Sequence, residues 1–156
     1  MRGPAPKGDA VEVSRDRDAG GGSGVAGDTR FSVVVADDSP VVRRALVDLL
    51  DQDTAFAVVA EATDAPDAVE LTMSYRPDIA VLDVDMPGGG GAAAAAGIRD
   101  GAPATHIVAY SALDDAGSRE AMARAGAVAY AVKGRDTLLD VLRGLVSGLR
   151  PQVDES

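Results

Sequence analysis

Charged and hydroxyl side chains follow four apolar runs of this chain, at the point where each run ends. In chain order they are Asp37 and Asp38, then Asp83, then Ser111, then Lys133. In an open parallel α/β sheet, ligands bind beyond the carboxyl ends of the strands. If the four runs are neighbouring strands, three carboxylates, one hydroxyl and one ammonium converge on one spot. That combination suits a divalent metal and a phosphoryl group.

Each of these groups has a defined use in phosphoryl chemistry. Packed carboxylates repel one another, so without a cation some would have to stay protonated. Hard oxygen ligands suit Mg²⁺, which usually takes one or two carboxylates plus water and phosphate. One carboxylate could act as the nucleophile and form an acyl phosphate. Lys133 would neutralise phosphoryl oxygens, and Ser111 would donate a hydrogen bond to one of them.

Taken singly, each residue also has an ordinary structural explanation. An Asp-Asp pair before Ser39-Pro40 is often a helix N-terminus, where acidic side chains are favourable. A lone Asp or Ser at a strand end is more often structural, and a lone lysine more often lies in solvent. The sequence has two lysines, Lys7 and Lys133, and its other basic residues are arginines. It is the appearance of all the groups at successive strand ends that favours a site.

The elements that must position these groups alternate between strands and helices from Phe31 onward. The predicted strands are Phe31–Ala36, Phe56–Ala60, Ile79–Asp83, His106–Tyr110 and Ala127–Val132, and the predicted helices begin at Pro40, Pro66, Ala92, about residue 114 and Leu138. This (βα)₅ alternation predicts an α/β fold, a doubly wound five-stranded parallel sheet covered on both faces. Both common strand orders place a switch point beside strand 1.

Two helices carry specific expectations. In the first helix, one apolar stripe should face the core, made of Val41, Val42, Ala45, Leu46, Leu49 and Leu50. The third helix, Ala92–Arg99, is alanine-rich and has Ile98 as its only bulky apolar residue. We expect this helix to bury little and to be thin or mobile.

Composition and charge narrow the class of protein. The chain has no cysteine, which excludes disulfides and thiolate zinc sites and fits the cytoplasm. No apolar run approaches the roughly 20 residues that span a bilayer, so we expect no membrane contact. The net charge is −10, and the excess acid lies after residue 30. A domain this acidic is not expected to bind nucleic acid directly.

We divide the 156-residue chain into three parts. Residues 1–30 are rich in Gly, Asp and Arg and lack aromatics, which predicts a disordered, flexible arm. Residues 31–150 form the folded domain. Residues 151–156 are a short acidic C-terminal end, because Pro151 stops the last helix.

The order and spacing of these motifs resemble the receiver domain of bacterial two-component response regulators, over roughly residues 31–150. The matching segments are Asp37-Asp38, Leu82-Asp83, Met86-Pro87-Gly88, Ser111-Ala112, Tyr130 and Lys133. The set is specific, although no single part of it is. The resemblance implies the flavodoxin-like strand order 2-1-3-4-5, in which strand 1 lies beside strand 3.

The resemblance implies a role for each phosphoryl-binding residue. Asp83 is the phosphoacceptor, and Ser111 and Lys133 bind the phosphoryl group. Tyr130, three residues before the lysine, resembles the aromatic switch that turns inward when Ser111 moves toward the phosphate. Tyr130 also has a plain structural explanation, since it could fill the edge of the fold.

The resemblance also implies the ligands of a bound Mg²⁺. Asp38 and Asp83 supply carboxylates, Asp37 acts mostly through water, and the main-chain carbonyl of Asp85 completes the site. Two residues depart from the family. Gly134 stands where the family usually has proline, which predicts a looser turn, and Asp85 is acidic where many members have another residue type.

We therefore predict a stand-alone response regulator that is a signalling phosphoacceptor rather than an enzyme, catalysing only its own phosphotransfer and slow dephosphorylation. A histidine kinase or phosphotransfer protein would donate to Asp83. Output is expected through protein contact at the helix 4–strand 5–helix 5 face, including dimerisation. This expectation follows because no residues after about 150 could form a DNA-binding or enzymatic domain.

Two other functions compete with this prediction. Asp83-Val84-Asp85 after an apolar strand resembles the nucleophile motif of haloacid-dehalogenase-type phosphatases, but in that family the nucleophile strand comes first and the acidic metal pair follows the lysine. The other alternative is a binding module with the receiver fold that no longer relies on phosphorylation. The presence of every expected site residue gives that alternative no support.

Overall fold

Strands and helices alternate along residues 30–149, which are the residues that the computed structural model describes. The elements are β1 Phe31–Ala36, α1 Pro40–Asp51, β2 Phe56–Ala62, α2 Ala65–Tyr75, β3 Ile79–Asp83, α3 Gly90–Gly101, β4 His106–Ser111, α4 Ala116–Ala125, β5 Ala127–Val132 and α5 Leu138–Val146. The predicted arm, apart from Arg30, and the predicted acidic end lie outside the described residues. Within 30–149, no helix is both long enough and apolar enough to cross a bilayer.

The five strands form one parallel sheet in the order β2-β1-β3-β4-β5, which confirms the predicted fold and strand order. The register brings the ends of the central strands level. Ala36 pairs with Leu82 and Asp83 pairs with Tyr110. Ser111 pairs with Val132 at the next junction. The residues that follow or close β1, β3, β4 and β5 therefore meet at one edge of the sheet.

Local sequence signals set where the helices begin. Pro40 stands at the start of α1, where the missing amide hydrogen costs nothing, and the Ser39 hydroxyl caps the helix by accepting from the Val42 amide at 3.2 Å. Asp64 and Asp115 cap α2 and α4 in the same way. These caps fix the loops between the strand ends and the helices.

Side chains alternate between the two faces of the sheet and build two apolar layers. Val33 and Val35 pack with α1 and α5, whereas Ala36 and Leu82 pack with α2, α3 and α4. β3 is buried along its whole length, as expected of a central strand covered on both faces. The core therefore holds the carboxyl end of β3 rigidly in the middle of the sheet.

The buried face of α1 differs from the predicted stripe. Leu46, Val47 and Leu50 are buried, whereas Val41 is 78% exposed and Ala45 is also exposed. At about 100° per residue, the buried positions centre on the side of the helix opposite Val41. The prediction was wrong for Val41 and Ala45 because apolar residues cover more of this helix than its packing uses.

Helix α3 buries more than its sequence suggested. Gly91, Ala94, Ala95 and Ile98 are all buried, and the helix extends over twelve residues. A Cβ atom on Gly91 would lie 2.6 Å from the main-chain oxygen of Asp83. The small residues bury area by letting the helix approach closely, so the expectation that it buries little was wrong.

This close packing gives a testable stability difference between two glycines. Gly91→Ala should lower the free energy of unfolding by about 1–3 kcal/mol, because its new methyl group meets backbone that cannot move cheaply. Gly144→Ala, in α5 with nothing within 4 Å of the new atom, should raise it by about 0.5–1 kcal/mol. Urea unfolding followed by circular dichroism measures both. Equal effects of the two substitutions would contradict the close-packing explanation.

Candidate functional site

A polar cleft of about 250 Å³ opens at the carboxyl ends of β1, β3, β4 and β5. Its lining comprises Asp37, Asp38, Ser39, Asp83, Asp85, Ser111, Ala112, Leu113 and Lys133. All five residues singled out at strand ends thus lie in one cleft. The level strand ends place them there, because each is the last residue of its strand or lies within two residues after it.

Three carboxylates meet at the centre of this cleft. One oxygen each from Asp37, Asp38 and Asp83 lies within 4.8 Å of the others. Asp37 and Asp83 are buried, and Asp38 is exposed. Clustered carboxylate oxygens, open to water on one side, match the ligand preference of a small hard cation such as Mg²⁺. The donor set therefore fits the predicted metal.

Lys133 supplies the positive charge of the site from the end of β5. Its Nζ lies 3.0 Å from Asp37 Oδ2 and 3.5 Å from Asp83 Oδ1. Burial lowers the pKa of the ammonium group, but the hydrogen bonds and charges of the two carboxylates outweigh it and leave the pKa of Lys133 raised. Lys133 is therefore a permanent cation beside both acids.

Asp83 is the carboxylate with the most altered acidity. The pKa of Asp83 is raised to about 6, mainly by burial and next by the negative charge of Asp37. Lys133 and a hydrogen bond from the Asp85 amide, 3.3 Å from Asp83 Oδ1, act in the opposite direction. Without a metal, ionisation of the Asp83 carboxyl group therefore lowers the free energy of unfolding.

Ser111 is fully buried at the end of β4, and its hydroxyl oxygen accepts a hydrogen bond from the Leu113 amide at 2.9 Å. The Lys133 amide donates to the Ser111 carbonyl at 2.8 Å, which ties the two strand ends together. Because a hydroxyl can accept and donate at once, the proton of Ser111 remains available.

The turn after Lys133 is built on Gly134, which has φ of +83°. Proline cannot adopt this angle, so the backbone of this turn differs from the one expected of a family member with proline. The turn is nevertheless closed by hydrogen bonds. The amides of Arg135 and Asp136 donate to the Val132 carbonyl at 3.1 and 2.9 Å, and the Val132 amide donates to Asp136 Oδ2 at 2.8 Å.

Tyr130 is half-buried on β5 and contacts the loop that follows Ser111. Its hydroxyl donates to the Leu113 carbonyl at 2.7 Å, and the guanidinium carbon of Arg119 lies 4.7 Å from the ring centroid. The tyrosine therefore contacts the short loop that directly follows the hydroxyl of Ser111 in the cleft. Its predicted role as a switch remains a prediction, as does the ligand role of the Asp85 carbonyl.

Sequence reasoning missed two residues beside the cleft. Asp114 lies 2.7 Å from Arg119 Nε and 2.6 Å from Arg135 Nη1, so it links the β4–α4 loop to α4 and to the turn after β5. Arg43 donates to the Asp37 carbonyl at 2.8 Å. Nothing in the local pattern signals either contact, because the sequence does not show how far a long side chain reaches.

Comparison with known families identifies the kind of domain. The sequence model of the response regulator receiver domain matches residues 33–143, more than half of the chain. In the crystal structure of a LuxR-family two-component response regulator from Aurantimonas sp. SI85-9A1, the similarity covers 81% of this chain and 92% of that one, with 30% identity and a TM-score of 0.73. The similarity to the crystal structure of the response regulator domain of Thermotoga maritima CheB covers 76% of this chain and 92% of that one, with 30% identity and a TM-score of 0.66.

Two curated relatives are longer than this chain. The chain is 40% identical over 103 residues to protein-glutamate methylesterase/protein-glutamine glutaminase 4 of Myxococcus xanthus (strain DK1622), covering 65% of this chain and 29% of that protein. It is 33% identical over 121 residues to the uncharacterized transcriptional regulatory protein YxjL of Bacillus subtilis (strain 168), covering 76% of this chain and 56% of that protein. The chain thus spans less than two thirds of either relative.

The raised pKa of Asp83 predicts a pH-dependent effect of Asp83→Asn. Without divalent metal at pH 7, the free energy of unfolding of the variant should be roughly 2–3 kcal/mol higher than that of wild-type. The reason is that the ionised Asp83 carboxylate destabilises folded wild-type, and a neutral amide does not. The advantage should shrink as pH falls through about 6 and vanish below about 4, where the acid is protonated in both states. Urea titrations across this pH range measure it.

Asp85→Asn, which changes an exposed carboxylate two residues away, is the matched control and should have little effect at any of these pH values. A stabilisation of Asp83→Asn that did not depend on pH would contradict the electrostatic explanation.

Proposed function

Because the chain belongs to the response regulator receiver family, we propose that Asp83 accepts a phosphoryl group from a histidine kinase or a phosphotransfer protein. The observation that carries the proposal is the placement of Asp83 among two further carboxylates and a lysine ammonium in one cleft. A carboxylate oxygen of Asp83 attacks phosphorus and forms the acyl phosphate. The bond from phosphorus to the donor nitrogen breaks, and its electron pair returns to that nitrogen.

The acidic cluster is proposed to hold Mg²⁺ through the carboxylates of Asp38 and Asp83, through Asp37 mostly by way of water, and through the main-chain oxygen of Asp85. When bound, the ion would neutralise charge on the transferring phosphoryl group. It would also relieve the repulsion among the three acids, which burial strengthens. Support comes from the convergence of their oxygens within 4.8 Å.

Lys133 and Ser111 are proposed to bind the phosphoryl oxygens. Lys133 already lies 3.5 Å from Asp83 Oδ1, so its charge stands where negative charge would develop. Ser111 keeps its proton available, since its oxygen is used as an acceptor. Donating to a phosphoryl oxygen would draw the Ser111 hydroxyl and the loop that follows it toward Asp83.

Movement of this loop is proposed to be the switch. Leu113 accepts from the Tyr130 hydroxyl, and Asp114 pairs with Arg119 and Arg135. All of these contacts are partly exposed, and exposed ion pairs are weak. A displaced loop would release Tyr130 and change the face formed by α4, β5 and α5. Phosphorylation would thus shift an existing equilibrium.

That face is the proposed contact surface for the output protein, and it could also join two copies of the chain. Direct nucleic-acid binding is not part of the proposal, because the net charge of −10 opposes it. The stand-alone arrangement stays a prediction, since both curated relatives extend well beyond the region they share with this chain.

The phosphoacceptor proposal is tested by intact mass spectrometry. The protein is incubated with Mg²⁺ and a small acyl phosphate donor, and the mass is followed over time. One added phosphoryl group is expected in wild-type and none in Asp83→Ala, with loss of the adduct when the metal is chelated beforehand. Repeated donor hydrolysis without an adduct would indicate a phosphatase instead. No reaction with this donor or with phosphorylated kinase would leave a phosphorylation-independent binding module.

A second prediction concerns the loop. Asp114→Asn removes both ion pairs that hold the loop in its present position, so the rate of phosphorylation by the small donor at saturating Mg²⁺ should rise about two- to fivefold. Asp115→Asn is the matched control, because the amide still caps α4 and the neighbouring acid keeps its partners. Equal rates in Asp114→Asn and the control would contradict the switch assigned to this loop.

A further inference from the structure

We propose that Arg43 is a positioning residue for the metal site, because it fixes the Asp37–Asp38 peptide from α1 and so aims the Asp38 carboxylate into the cleft. The inference rests on the proposed function, in that it assumes the acidic cluster holds Mg²⁺. It adds a residue that touches none of the clustered carboxylate oxygens through its described hydrogen bonds, which go to a main-chain carbonyl and to Glu61.

The guanidinium of Arg43 connects the ends of two strands. Its Nη1 donates to the main-chain oxygen of Asp37, just beyond β1, at 2.8 Å. Its Nε donates to Glu61 Oε1, near the end of β2, at 3.2 Å. The side chains of Arg43 and Glu61 are 18% and 20% exposed, so solvent screens this pair less than a surface ion pair. The fork of Arg43 is therefore held in a single orientation.

The contact from Arg43 completes the anchoring of Asp37. The Asp37 amide donates to the Ala62 carbonyl at 3.1 Å. Its Oδ1 accepts from the Ser39 amide at 2.9 Å, and its Oδ2 accepts from Lys133 at 3.0 Å. With the carbonyl held by Arg43, every polar group of this buried residue has a partner. Removing the guanidinium would leave that carbonyl without the protein partner that holds it now.

Asp38 depends on this anchoring more than Asp37 does. Its side chain is exposed, and within residues 30–149 no hydrogen bond or ion pair from another side chain holds its carboxylate. The main chain thus sets where the Cα–Cβ bond of Asp38 starts and which way it points, and so the region that the carboxylate can reach. The peptide that joins Asp37 to Asp38 is planar, so a hydrogen bond to its oxygen also fixes the amide nitrogen of Asp38.

The two simultaneous contacts explain why this position suits arginine rather than lysine. A planar guanidinium presents donors in a fixed fork and reaches the carbonyl and Glu61 together. An ammonium group carries all its donors on one nitrogen at the end of a flexible chain, so it cannot present two separate nitrogens to the carbonyl and Glu61 in a fixed geometry. Side chains that orient metal ligands from behind typically change metal affinity by about 10- to 100-fold when removed.

The test is calorimetric titration of the full chain with Mg²⁺, without any phosphoryl donor. Arg43→Met should weaken Mg²⁺ binding about tenfold or more, and Arg43→Lys should give a smaller loss. Glu61→Gln should shift the affinity in the same direction, because it loosens the fork. Arg44→Met is the matched control, with the same charge change on the same helix. Its Mg²⁺ affinity should lie within about twofold of that of wild-type. Arg44 is 68% exposed, and its ion pair with Asp48, at 3.9 Å, is long and weak.

A second readout separates positioning from a purely structural role. Arg43→Met should still accept one phosphoryl group on Asp83 when Mg²⁺ is raised to saturate the weakened site. If Arg43→Met lowers the unfolding temperature without metal but binds Mg²⁺ as tightly as Arg44→Met, the inference is overturned. Should Arg43→Met fail to fold, the titrations of Arg43→Lys and Glu61→Gln decide, and wild-type affinity in both would overturn it.

Failure of the proposed function looks different. In that case wild-type itself would neither bind Mg²⁺ at the cleft nor gain a phosphoryl group, and the Arg43 inference would fall with it. Wild-type that binds and is phosphorylated, beside an Arg43→Met variant of unchanged affinity, would overturn the positioning role alone.

Discussion

Three carboxylates held together against their mutual repulsion are the feature on which the rest of this structure depends. Two unit charges 4 Å apart interact with about 4 kcal/mol at the effective dielectric of a protein surface. The sheet register enforces this proximity by setting Ala36 beside Leu82, directly before Asp37 and Asp83. Lys133 offsets part of the repulsion, but burial together with the charge of Asp37 still leaves the pKa of Asp83 raised. A divalent cation would neutralise the excess negative charge that remains.

The packing behind the cleft makes this arrangement rigid. β3 is buried throughout, and Gly91 of α3 lies so close to the Asp83 carbonyl that a methyl group would not fit between them. On the other side, Arg43 ties the end of β1 to Glu61 of β2. Since interiors are close-packed, these supports leave little freedom to the strand ends. The proposed metal ligands and the proposed phosphoacceptor are thus carried by a closely packed part of the fold.

The opposite edge of the cleft is built differently. The loop that follows Ser111 is held by the Tyr130 hydroxyl and by the ion pairs of Asp114, all at the surface. Contacts of this kind are individually weak and are readily exchanged for water. Elements that move in signalling are drawn from such low-stability regions. A rigid group of carboxylates therefore lies beside a weakly held loop that follows the Ser111 hydroxyl. In such an arrangement, a chemical change at the carboxylates can displace the loop and so alter a distant surface.

The alternation of strands and helices could be predicted from the sequence alone, and so could the residue types that meet in the cleft. Apolar runs that end on Asp37, Asp83, Ser111 and Lys133 marked the strands and the edge where they meet, because parallel strands point the same way. Pro40 and Pro66 marked the starts of α1 and α2, because a proline at a helix start depends only on neighbouring residues. The start of α3 carries no such signal, and that helix begins at Gly90 instead of the predicted Ala92. The resemblance to a receiver added the strand order. These signals are local, so they can be read without knowing the packing.

Features that depend on distance and close approach between remote segments could be seen only in the folded chain. The sequence did not show which face of α1 is buried, since Val41 and Val47 are equally apolar. It did not show that small residues in α3 bury area by proximity. The contacts of Arg43 with Asp37 and of Asp114 with Arg135 depend on where long side chains end in space. Composition and spacing do not show where the end of a long side chain lies, and the folded structure does.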